Sequence, residues 1–244
     1  MSEQQPPVSP LITCEHASNR VPVPWRWLFV GEEHVLDGHR GHDIGATDLA
    51  LRMSGQLHAP LLAGRVTRLL VDLNRSASHP ARFSPWSRRL EPAQRAHLAE
   101  RWWEPHWRAY REWVDRLPGL VVHIACHSFT PVLNGKQRQA DIGLLYDPSR
   151  RLERDWCVGL AGHLREQLPD LRIRRNYPYR GTSNGLGQQH RWLYPPQRLI
   201  TMEIEFNQAL AHHSDWPALR AGIVEACRLQ LQATHAAGAA EAAG

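Results

Sequence analysis

Lysine is almost missing from this 244-residue chain: Lys136 is the sole one among 29 basic Lys and Arg residues. The arginines are spread along the chain and form no stripe. The formal charge of +5 therefore builds no electrostatic footprint for nucleic acid. Cysteine is scarce too. Cys14, Cys126, Cys157 and Cys227 are widely separated and no CxxC occurs, which excludes a disulfide scaffold and a cysteine zinc finger. No apolar run approaches the roughly 18 residues that span a bilayer. The first residues lack the charged-then-apolar pattern of a secretory signal. There is no internal repeat and no linker that would divide the chain. A soluble cytoplasmic protein is expected, with no nucleic acid and no membrane as partner. The sequence leaves the oligomeric state open.

Hydrophobic residues make up 42% and charged residues 22%, a composition that supports a packed core. The length suits one α/β domain. Residues 1–9 are expected to form a flexible N-terminus, 10–232 a single catalytic domain, and 233–244 a flexible Ala/Gly tail. Apolar runs predict strands at Leu11–Cys14, Arg65–Leu73, Gly119–Cys126, Asp141–Tyr146, Arg172–Arg175 and Leu199–Phe206. Helical spacing predicts helices over Ile44–Leu57, with Asp43 placed to cap it, and over Glu91–Leu117, Arg151–Leu168 and Asp215–Gln232. Pro105 should split or kink the second of these. Trp102, Trp103, Trp107 and Trp113 on that helix read as packing residues rather than a base-stacking platform. Alternating strands and helices imply a single-domain α/β fold, a mainly parallel mixed sheet with helices on both faces.

In such sheets ligands bind beyond the carboxyl ends of the strands. Three ends carry suitable groups. The first strand runs into Cys14-Glu15-His16, a central one into His127-Ser128-Phe129, and a late one carries Glu203 and Glu205. A hydrolytic zinc site needs three His or carboxylate ligands, an open position for water and a nearby carboxylate base.

Six segments, in order, resemble the motifs of the N-formylglutamate amidohydrolase family. They are Cys14-Glu15-His16-Ala17-Ser18-Asn19 with Val21-Pro22, His42-Asp43-Ile44-Gly45-Ala46, Arg68 through Arg75, His127 through Pro131, Asn176 through Gly181, and Glu203-Ile204 with Asn207. Each is weak alone, and the ordered set is strong. The resemblance implies a phosphorylase/hydrolase-like fold similar to the zinc carboxypeptidases. It also implies a metal-dependent hydrolase of linear amide bonds, with a small acidic N-acyl amino acid such as N-formylglutamate as substrate. The chain departs from the family between Gly181 and Leu193, where Thr182 through Gln189 form a loop expected to touch substrate.

On this reading His16, Asp43 and His127 hold Zn2+. Glu15 competes with Asp43 as third ligand, although neighbours on a strand point to opposite faces. His39 and His42 are weaker rivals. His123 shares the face of His127 but lies deeper, where a satisfied core histidine is the simpler assignment. Glu203 is the expected general base, with Glu205 the alternative, and Arg68 the expected oxyanion partner. Asn74, Arg75, Arg180 and Ser128 are expected to bind substrate, the arginines through two-pronged carboxylate contacts. A Cys–His hydrolase built on Cys14 or Cys126 is a poorer reading, because such partners seldom adjoin in sequence. A binding protein that kept the fold without the chemistry, or one gripping nucleic acid through Trp and Arg, is the competing class.

Overall fold

The computed structural model describes residues 7–241. The expected N-terminal segment falls largely outside them, and strand β1 (Val8–Cys14) begins at once. The remaining strands are β2 (Leu61–Ala63), β3 (Leu120–Phe129), β4 (Val132–Leu133), β5 (Lys136–Gln137), β6 (Ile142–Leu145), β7 (Ile173–Arg175) and β8 (Leu199–Asn207). Six of them make one sheet in the order β2-β1-β3-β8-β6-β7, and β4 pairs with β5 in a separate hairpin. All pairs in the large sheet are parallel except β6 against β8. This is the expected single α/β domain with a mainly parallel mixed sheet, and its short helices include α1 (His34–Asp37), α6 (Leu186–His190) and α7 (Gln208–Ala211).

Two-residue alternation sorts the central strands onto two cores. Ile12, Val122 and Ile200 face one side, where α2 (Ala46–Leu57), α5 (Arg151–Gln167) and α8 (Trp216–Glu241) cover them with Leu49, Met53, Trp156, Leu160 and Ile223. Leu11, Val121 and Leu199 face the other, beneath Trp107, Tyr110 and Val114 of α4 (Glu104–Arg116). His127, Glu203 and Glu205 belong by the same alternation to this second face. A third cluster, including Trp25, Leu28, Leu70 and Trp86, lies under the irregular region before α3 (Pro92–Leu98). Helix α3 passes into α4 through a wide turn at Ala99–Trp103, just before Pro105, so the α-helical pattern is split there.

Three sequence readings are corrected. Arg65–Leu73 is a series of turns, and the strand lies upstream at Leu61–Ala63. The run is apolar because Val66, Leu69, Leu70 and Val71 pack in the third cluster, and burial alone does not distinguish a strand from a buried turn. Asp43 does not cap α2. That helix starts at Ala46, and Gly45 stands before it at φ +82°, where a Cβ would strike Ala211 and Phe206. The carboxylate of Asp43 is thereby free to turn inward. Finally, α8 stays helical past Ala233 as far as Glu241, in keeping with the alanines there; residues 242–244 lie outside the described ones.

Candidate active site

The register of the sheet assembles the site. Ala125 pairs with Glu203 and His127 with Glu205, so both carboxylates stand beside the His127 strand at its carboxyl end. His16 follows the end of the neighbouring β1, and the Asp43 backbone N–H donates to the His16 carbonyl at 3.0 Å, tying the two segments together. Ligand atoms of His16, Asp43 and His127 lie within 4.8 Å of one another, and all three residues are buried. Asp43 Oδ2 is the hub, 3.3 Å from His16 Nδ1 and 2.9 Å from His127 Nδ1.

The outer nitrogen of each ring meets another carboxylate. His16 Nε2 donates to Asp72 Oδ1 at 2.7 Å, and His127 Nε2 lies 2.9 Å from Glu15 Oε2. A carboxylate only accepts, so Asp72 keeps a proton on His16 Nε2, and Nδ1 is the nitrogen turned to the hub. Glu15 therefore stands behind His127, on the far side from Asp43, and Asp43 completes the cluster. His106 approaches Glu15 from the opposite side at 3.9 Å.

The electrostatics are those of a cation site. Burial works against an ionised Asp43, but His16 and His127 outweigh it and hold its carboxyl far below the ordinary range. Asp72 is held down in the same way against burial, first by the Arg68 guanidinium and then by His16. Burial disfavours an imidazolium at His127, yet its bonds to Asp43 and Glu15 raise it well above the ordinary histidine value. Without a metal the cluster draws in a proton. Glu205 goes the other way: burial, then Asp43 and Glu203, push its carboxyl up to about 8, so it keeps its proton at neutral pH.

Every residue singled out from the sequence for the site lines one cavity of about 190 Å³, together with Tyr179, Ser183, Asn184 and Glu205. Arg68 donates to Asp72 Oδ2 at 2.9 Å and to Asp43 Oδ1 at 3.4 Å. Asn74 Nδ2 donates to Glu203 Oε1 at 3.3 Å, while its Oδ1 accepts from the Leu186 N–H at 2.7 Å. The latter approach needs Gly185, where a Cβ would sit 2.8 Å from Asn74 Oδ1. Arg75 donates to the Asn184 carbonyl, so the departing loop packs directly on the Asn74-Arg75 segment. Ser128 reaches the cavity, but its hydroxyl donates to the Ile44 carbonyl at 2.8 Å and so braces the Asp43 turn. Arg180 is exposed at the rim.

Other sequence candidates fall elsewhere. His42 contacts the Leu36 carbonyl at 3.2 Å and is outside the cluster. His123 is fully engaged by Thr13, Tyr110 and Thr201, and burial holds it down at about 3, neutral. Burial raises the Cys14 and Cys126 thiols well above their usual values, which removes them as nucleophiles. The tryptophans do pack, and two do more. Trp103 and Trp107 stack at 4.5 Å and donate to the Arg75 and Leu73 carbonyls, pinning the Asn74-Arg75 segment from behind. The sequence reading gave no role to Asp72, although it lies two residues before Asn74 within a quoted motif. Tyr179 had none either, whereas Ser183 and Asn184 belong to the loop expected to touch substrate.

The sequence profile described as FGase, N-formylglutamate amidohydrolase, matches residues 8–211. The chain belongs to the N-formylglutamate amidohydrolase family. Membership makes it a hydrolase acting on amide bonds. Among solved structures it is similar to a gene product of Agrobacterium tumefaciens, with TM-score 0.76 and 28% identity over 93% of this chain and 91% of that one. It shares the fold of an N-formylglutamate amidohydrolase from Ralstonia eutropha JMP134, with TM-score 0.60 and 18% identity over 95% and 94% of the two chains. No curated protein matches the chain significantly. Among the described residues no helix is long and apolar enough to cross a membrane.

Proposed function

We propose that this family member is a zinc-dependent amidohydrolase that cleaves the amide of a small acidic N-acyl amino acid such as N-formylglutamate. The observation that carries the reading is the convergence of His16, Asp43 and His127 in a cavity that also holds Glu203 and several arginines. Two imidazole nitrogens and one carboxylate oxygen are a donor set that suits zinc. The outer ring nitrogens, set against Asp72 and Glu15, leave Nδ1 facing inward, as a metal would require. Zinc held there supplies Lewis acidity, which draws the pKa of water towards about 7.

The residues of the chain do the rest. Glu203, steadied by Asn74, takes the proton of the attacking water and hands it to the leaving nitrogen. Arg68, kept cationic by Asp72 and Asp43, faces the developing oxyanion. Arg75 and Arg180 hold the carboxylate of the amino acid. A non-catalytic binding protein would have no use for Glu203 beside the ligand cluster.

The test is hydrolysis of a panel of N-formyl and N-acetyl amino acids. Activity lost with a chelator and restored by zinc is expected. Absence of any turnover by zinc-loaded protein overturns the reading, and salt-sensitive nucleic-acid binding without hydrolysis would replace it.

A further inference from the structure

Arg138 is an anomaly beside this site. It is only 7% exposed, yet its Nη1, sealed from solvent, has no hydrogen-bond partner among the described residues. The other arginine buried to the same degree, Arg191, lies 2.9 Å from Glu153, and the partly exposed Arg68 lies 2.9 Å from Asp72. Arg138 has aromatic faces instead, with Cζ 5.4 Å from the Phe129 ring and 4.9 Å from the Tyr179 ring. A buried cation without an anion calls for a cause.

Its position supplies one. Phe129 follows Ser128, and Tyr179 precedes Arg180; Ser128, Tyr179 and Arg180 all line the cavity. The Arg138 N–H donates to the Pro131 carbonyl at 2.9 Å, and the adjacent Gln139 N–H donates to the Tyr177 hydroxyl at 2.8 Å. The backbone of Arg138 is thus tied to the Pro131 and Tyr177 segments, and its guanidinium packs on the Tyr179 ring, which lines the cavity although Arg138 itself does not. Tyr179 is 43% exposed, so packing does not lock that ring in place.

The cations already in the cavity are partly spent. Arg68 serves Asp72 and Asp43, and Arg75 serves the Asn184 carbonyl. An acidic amino acid carries two carboxylates several bonds apart and needs two separate cationic anchors. Arg75 and Arg180, proposed above to hold one carboxylate, leave the other without a partner.

We propose that Arg138 is the anchor for a second, side-chain carboxylate of the substrate, and so the residue that selects acidic over neutral N-acyl amino acids. The carboxylate enters as the Tyr179 ring turns aside, and accepts from the guanidinium fork between two aromatic faces that exclude water. The inference rests on the amidohydrolase reading above and adds a specificity residue to it.

Glutamate and glutamine differ only in a carboxylate against an amide, and neither carries the N-acyl amide of the proposed reaction. Calorimetric titration of the wild-type protein with each is expected to favour glutamate by about tenfold or more, the scale of one charge-assisted contact. In Arg138→Met that ratio falls towards 1. Equal affinity of the wild type for the two, including binding of neither, overturns the proposal, as does a ratio unchanged in Arg138→Met. If thermal melting shows that Arg138→Met does not fold, Arg138→Lys decides. It keeps the charge without the fork, so a several-fold fall in the ratio is expected and an unchanged ratio overturns the assignment. Hydrolysis of N-formyl amino acids by the wild type is read separately. Absence of a glutamate preference in the wild type with its turnover intact removes Arg138 alone, whereas absence of turnover removes the amidohydrolase reading.

Discussion

His16 is held from both ends: Asp72 takes its Nε2–H at 2.7 Å, and Asp43 Oδ2 stands 3.3 Å from its Nδ1. Asp72 decides which nitrogen faces the cluster, because a carboxylate opposite Nε2 keeps the proton there. Asp72→Asn keeps the shape but weakens that preference. Zinc affinity, measured by competition with a chromophoric chelator, is expected to fall about 10- to 100-fold, the usual scale for an outer partner of a ligating histidine. Unchanged affinity would show that Asp72 serves Arg68 alone.

The ligand assignment itself is checked by metal content. His16→Ala and His127→Ala should each be purified with little zinc, and Asp43→Ala likewise. Glu15→Gln should retain zinc with lower affinity, because Glu15 lies behind His127 and not in the cluster. Zinc content unaltered in both histidine variants would refute the site.

Glu203 and Glu205 share a face of β8 and both line the cavity. Glu203 is the better base, since the Glu205 carboxyl is held up at about 8 and keeps its proton at neutral pH. Glu203→Gln is expected to lower kcat by about 10²-fold or more with zinc still bound. If kcat stays near the wild-type value, Glu205→Gln becomes the decisive variant.

Arg75 contacts the Asn184 loop from inside the cavity, and its remaining N–H groups are the ones proposed to meet the substrate carboxylate. Arg75→Ala should raise KM by about tenfold or more while kcat changes little, the pattern of a contact made equally in ground and transition states. An equal loss in kcat with KM unchanged would place Arg75 in the chemical step instead.

Stability should fall on acidification below about pH 4.5, where the raised Glu205 carboxyl no longer offsets the depressed groups. His123 is held down at about 3 and His190 at about 4, both chiefly by burial, against an ordinary value of 6.5. The unfolded chain takes up these protons below about 6.5 and the folded chain does not. Each group therefore costs about 1.4 kcal/mol per pH unit from there down to its folded value. The depressed Asp43 and Asp72 carboxyls act in the same direction at lower pH. Urea unfolding should show the decline below about pH 4.5; between pH 7.5 and 5 the raised Glu205 and His127 oppose it, and the His123 ring resonance should not titrate in that interval. Titration near 6.5 would mean that His123 reaches solvent.

The sequence by itself determined the fold class and the cast of the site. A strand buried on both faces must be apolar along its length, so Gly119–Cys126 and Leu199–Phe206 declared themselves. Polar groups cut into the ends of such runs, as at His127 and Glu203, stand out against them. The tertiary structure decided how those residues divide the work. Asp43, read from the sequence both as a helix cap and as a ligand, became the hub of the cluster because Gly45 carries the turn and the sheet brings His127 to 2.9 Å. Glu15, a neighbour of His16, went behind His127 instead. Arg65–Leu73 looked like a strand because local pattern reports burial and not the partner that provides it. Arg138 was one arginine among many until Phe129 and Tyr179 closed around it. These are relations between segments far apart in the chain, set by strand register and packing, and no local spacing carries them.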